Sequence, residues 1–198
     1  LRDKIQLDDQ AANAFDLYYH YIKGKFNLET KEFEESFEAF EKAAEILGKK
    51  QNGDPKETFY IKNNLAKLHY TSTERDYQKA EQLLREGLQY SHENNDYEHK
   101  ALCYFQLTEL YIIRKDIKQA CENWRLSIET AKIIPVEEQR LLFIARNLKN
   151  EGDLNSILGE KDRGVECYKK ALGILNDILP EGNILSEKYR HDFEFIVQ

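Results

Sequence analysis

The sequence predicts an all-α chain, an α-solenoid of about four helix-turn-helix repeats closed by a C-terminal helix. Three observations carry this. Only 9 Gly and 3 Pro punctuate the 198 residues. Apolar residues recur at three- and four-residue spacing along nearly the whole chain, with no alternating strand pattern. Small and large residues also return in fixed columns some 40 residues apart.

The elements follow from breaks in that pattern. Residues 1–14 form a lead-in that begins at Leu1 in helix-like sequence without a Met, as expected of an excised piece of a longer protein. A first repeat spans 15–50, with a turn near Glu29-Thr30 and a stripe of Phe33, Phe37, Phe40, Ala44 and Leu47. Gln51-Asn52-Gly53-Asp54-Pro55 is a strong breaker and opens a second repeat over 56–93, turning between Thr71 and Arg75. Glu93-Asn94-Asn95-Asp96 leads into a third over 96–133, which carries Leu107, Leu110 and Tyr111 and turns at Lys115-Asp116. Ile134-Pro135 precedes a fourth over 136–179, with its turn at Gly159. After Pro180-Glu181-Gly182-Asn183 comes a last helix within 184–198, a cap or the start of a further repeat.

The columns align on small residues in the second helix of each pair: Ser36, Ala80, Ala120 and Gly164, spaced by 44, 40 and 44. Four residues on stand Phe40, Leu84, Trp124 and Tyr168, all large, and seven on stand Ala43, Gly87, Ser127 and Ala171, all small. Twelve residues before stand Gly24, Leu68, Thr108 and Gly152. Leu68 breaks that column unless the Thr71–Arg75 turn holds two extra residues, which would put Ala66 there. Small side chains let two helices approach closely, and the large one fills the next groove.

These columns, with Phe33 to Ala43 and the Gly152-Asp153, Leu158-Gly159 and Tyr168 to Leu172 segments, resemble the tetratricopeptide repeat (TPR) family. The resemblance covers residues 15–179 and implies a right-handed solenoid. The period exceeds the 34 residues of the commonest TPR. Longer units are similar to those of the bacterial peptide-pheromone receptors of the Rap and PlcR type, as are Leu17 to Gly24, Glu57 to Lys62 and Leu65 to Tyr70.

Composition narrows the function classes. The formal charge is −7 and 33% of residues are charged, a poor footprint for direct nucleic-acid binding. No apolar run approaches the ~20 residues of a membrane span. With no signal-peptide pattern and no Asn-x-Ser/Thr site, a cytoplasmic location is expected. Cys103, Cys121 and Cys167 are scattered and read as reduced thiols. No phosphate loop, HExxH, Gly-x-Ser-x-Gly or EF-hand loop occurs, and the five His do not cluster. The expectation is a non-enzymatic module without metal or cofactor.

By resemblance, a TPR array binds peptides on the first helices of its repeats, at their second, fifth, ninth and twelfth positions. Those positions carry Tyr18, Tyr21 and Lys25; Tyr60, Asn63, Lys67 and Tyr70; Leu102, Phe105, Glu109 and Ile112; and Arg146, Lys149, Asp153 and Ser156. Asn63 could pair with a peptide backbone, Tyr60 and Phe105 could contact its side chains, and a carboxylate could sit near Lys67 or Lys149. Asn63 precedes Lys67, and Tyr21 precedes Lys25, so the Lys-then-Asn carboxylate clamp of chaperone-binding TPRs is not met. The expected partner is a peptide or protein segment in a concave groove, and more narrowly the chain would be the sensor region of a peptide-responsive regulator. The alternative is a scaffold assembling a complex through convex or terminal surfaces. Tyr189, Phe193, Ile196 and Val197 make the terminal helix a candidate homodimer surface.

Overall fold

The computed structural model describes residues 2–49 and 55–197, and side chains from Ala12 onward except Phe193 and those of 195–197. Among the described residues the elements are α1 (Arg2–Thr30), α2 (Phe33–Lys49), α3 (Pro55–Thr71), α4 (Tyr77–Glu93), α5 (Tyr97–Ile113), α6 (Ile117–Ala131), α7 (Glu137–Ile157), α8 (Lys161–Ile178) and α9 (Ile184–Val197), with no strand. The chain is an all-α helical-repeat protein. From Arg2 onward, the residues read as a lead-in are the first turns of α1. The Gln51 to Asp54 breaker lies outside the described residues.

The helices start and stop for local reasons. The carboxylates of Asp76, Asp96 and Asp116 accept hydrogen bonds from the backbone N–H groups of Lys79, His99 and Gln119, at 2.9, 3.1 and 3.2 Å. Each satisfies an otherwise orphaned donor in the first turn of α4, α5 or α6. Inside three hairpins the first helix ends the same way. Lys31, Lys115 and Gly159 take φ of 65°, 60° and 84°. Lys115 N–H then donates to Ile112 O at 3.0 Å and Asp116 N–H to Tyr111 O at 2.9 Å. Gly159 and Glu160 repeat the pattern on Ser156 O and Asn155 O. This left-handed cap absorbs the last carbonyls and reverses the chain in a few residues.

The turn from α3 to α4 differs. It runs over 72–76, where α5–α6 and α7–α8 are joined by 114–116 and 158–160. The two extra residues put Ala66, fully buried, in register with Gly24, Thr108 and Gly152.

The chain divides into two compact units, Leu1–Leu84 and Arg85–Gln198, with the division inside α4. In the first, Leu17 and Leu28 of α1 pack with Phe40, Ala43 and Leu47 of α2 and with Ile61 and Leu68 of α3. In the second, Ala101, Ala131, Ile134 and Phe143 form one cluster, and Ala145, Ala171, Leu175 and Tyr189 another. The small columns are where helices meet. Ser36, Ala80, Ala120, Ala43, Ser127 and Ala171 are all fully buried. Ser36 and Ser127 hydroxyls donate across to Gly24 O at 2.8 Å and Ala101 O at 3.0 Å. Those bonds satisfy groups that burial would otherwise strand.

Candidate interaction site

In the first unit, α1 and α3 leave an open cleft of about 210 Å³ lined by Ala14, Leu17, Tyr18, Tyr21, Glu57, Tyr60 and Ile61. Three of these, Tyr18, Tyr21 and Tyr60, are among the positions expected to line a groove, and they meet because the first helices of successive repeats lie side by side. The tyrosines offer ring faces and edges with a polar tip, a surface suited to an apolar side chain flanked by hydrogen-bonding groups. Tyr21 is held in place: its ring stands edge-on to Phe40 at 6.1 Å, and burial raises its phenol above the ordinary value, with a hydrogen bond to Asn64 opposing.

Around the cleft the polar groups are partly committed. The Lys25 ammonium lies 5.7 Å from the centre of the Tyr21 ring, a cation–π contact. Lys67 is ion-paired to Glu29 across α3 and α1, Nζ to Oε1 at 3.1 Å. Asn63 is buried and its Oδ1 has no partner. Tyr70 is also buried, at 1% exposure. It belongs to the packing of the fold and offers no open surface.

In the second unit the expected positions gather around an ion pair. Lys149 Nζ and Asp153 Oδ2 are 2.7 Å apart along α7, each about four-fifths buried. The other Asp153 oxygen accepts the Tyr168 hydroxyl from α8. Burial works against the charged Lys149, but the charges of Asp153, Tyr168 and Glu109 and the hydrogen bond to Asp153 outweigh it, so its pKa is raised. Arg146 lies over the Phe143 ring at 5.4 Å. Tyr189 of α9 comes close to this cluster, and burial pushes its phenol up. Phe105 is buried, and its carbonyl accepts from Asn150 Nδ2 at 3.4 Å. Leu102 and Ile112 are half-buried, and the Ser156 hydroxyl bonds Gly152 O at 2.8 Å. This cluster is therefore internally compensated.

Among the described residues no group of three or more His, Cys, Asp or Glu could hold a metal ion. No described helix is long and apolar enough to cross a membrane. Cys103 and Cys167 are buried free thiols, and Cys121 is exposed.

One surface was not anticipated. Phe15, Tyr19, Ile22 and Phe26 of α1 are 42 to 69% exposed. The signal was present: α1 is apolar on two opposite faces, which a helix with a single covered side does not need.

No protein-family model matches the chain, and no curated protein is significantly similar to it. Among solved structures it shares its fold with BtubC (BKLC) from P. vanneervenii. The TM-score is 0.65 at 18% identity, over 99% of this chain and 81% of that one.

Proposed function

We propose that the chain is a TPR-type protein-interaction module that takes a peptide or protein segment on its first-helix face, seating an apolar side chain in the Tyr18–Tyr21–Tyr60 cleft. The observation that carries this reading is the cleft itself, an open, mostly apolar hollow with three tyrosines on it. Lys25, seated on the Tyr21 ring, offers a cation to a ligand that also carries a carboxylate. The repeat columns and the shared fold support the TPR assignment. The narrower reading, a sensor region of a bacterial peptide-responsive regulator, rests on the long repeat period.

Panning a library of 12-residue peptides against the chain tests this. Enriched peptides should share an apolar anchor near an acidic group, and Tyr60→Ala should weaken them about 10-fold or more, consistent with loss of one aromatic contact. Enriched peptides that bind Tyr60→Ala as well as wild type would contradict the cleft assignment. The alternative, assembly through convex or terminal surfaces, is favoured by the exposed apolar face of α1.

A further inference from the structure

The outer face of α1 has counterparts elsewhere in the chain. With the repeats aligned on Gly24, Thr108 and Gly152, Phe15, Tyr19, Ile22 and Phe26 correspond to Phe143, Asn147, Asn150 and Leu154 of α7, and those four are all buried. That face of α7 packs on α5 and α6. Trp124 Nε1 donates to Asn147 O at 3.1 Å, and Asn150 reaches Phe105 O. The stripe on α1 is therefore the face on which a repeat receives neighbouring helices. A repeat whose receiving face stays in water is expected to be polar there. Here it carries two phenylalanines, a tyrosine and an isoleucine, directly opposite the Leu17, Gly24 and Leu28 face that packs inward.

The order of the stripe points to its occupant. The residues are spaced by four, three and four, an a/d seam that reads the same from either end. If two copies of α1 lie antiparallel about a two-fold axis between His20 and Tyr21, Phe15 meets Phe26 of the second copy and Tyr19 meets Ile22. On one flank of the seam Asp16, exposed, falls beside the exposed Lys23 of the second copy, and the axis makes this pair twice. Opposite charges thus meet along this flank in the antiparallel register. Burying the four side chains from each copy covers on the order of 1,000 Å², the lower end of specific interfaces.

We propose that α1 is a self-association surface, on which a second copy of this chain packs its own α1 antiparallel through Phe15, Tyr19, Ile22 and Phe26. The interface is isologous and closed, so assembly stops at the dimer.

Sedimentation velocity over about 10 to 300 µM, a range suited to a small interface, tests this. The chain should show a monomer–dimer equilibrium, and Phe26→Asp, an exposed substitution, should weaken it about 100-fold. Asp16→Lys and Lys23→Asp should each weaken the dimer several-fold, and the double variant should restore it, because the pair re-forms with its charges exchanged. A chain that stays monomeric throughout would overturn the proposal and leave the stripe to a helix hairpin from another protein. A dimer indifferent to Phe26→Asp, formed for instance through α9, would overturn it equally. So would a double variant no better than the singles.

Discussion

Gly152 lies directly beneath the ring of Tyr168: a methyl group on Gly152 would stand 2.5 Å from the ring carbons and 3.1 Å from Gly164 O. Gly24 and Phe40, also sixteen residues apart, are related the same way at 2.9 Å. The first and fourth repeats thus join their two helices through one device, a bare backbone on the first helix roofed by an aromatic ring from the second. Gly152→Ala should destabilise the chain by about 1–3 kcal/mol through overpacking. Gly173→Ala, in α8 with nothing near the added carbon, should stabilise by about 0.5–1 kcal/mol. Urea denaturation of both variants checks the pair, and equal effects would contradict the packing account.

The left-handed caps give an opposite expectation. Lys31 and Lys115 hold positive φ, a conformation that costs a non-glycine residue about 1–2 kcal/mol. The equivalent position in the fourth repeat is already Gly159. Lys115→Gly should therefore raise stability by up to about 1 kcal/mol, after the added flexibility of the unfolded chain is set against it. A lower midpoint would show that Lys115 contributes more through its side chain than its backbone loses.

The Lys149–Asp153 pair should behave as a unit with Tyr168. Removing the cation alone, in Lys149→Met, leaves a mostly buried carboxylate uncompensated and should cost about 2–4 kcal/mol. Lys149→Met with Asp153→Leu should cost less than the two single changes added together. Strict additivity in the double-mutant cycle would mean that the two groups do not interact.

His69 makes stability depend on pH. Its ring stands edge-on to Phe37 at 5.1 Å. Burial is the largest influence and lowers its pKa below the ordinary 6.5, while Asp76 and Glu41 oppose and Lys79 assists. The unfolded chain then binds the proton more readily, so this contribution is complete above pH 6.5 and is lost as pH falls through the folded-state value. His69→Gln should flatten the fall in stability between neutral pH and about pH 5. A slope unchanged from wild type would place the acid sensitivity elsewhere.

Much of the fold could be read from the residues themselves. The small columns report helix–helix contact directly, because only small side chains fit there, and the displaced Leu68 even foretold the longer α3–α4 turn. The site was less legible. Tyr18, Tyr21 and Tyr60 were placed by repeat position, and the structure brings them to one cleft. The same arithmetic also selected Tyr70 and Phe105, which are buried, since position within a repeat does not say where the next helix lies. Nor does it show that Lys67 faces Glu29, or Lys149 faces Asp153, because pairing depends on rotamers and on helices distant in sequence. The α1 stripe escaped notice because aromatic residues at core spacing look the same whether or not a neighbour covers them.

The most direct measurement is a ¹⁵N-edited NMR titration of the chain with a peptide obtained by panning. The account predicts that the largest shifts cluster on α1 and α3 around Tyr18, Tyr21 and Tyr60, and that they vanish in Tyr60→Ala. Shifts centred on α2, α4 or α9 with the cleft unmoved would contradict it.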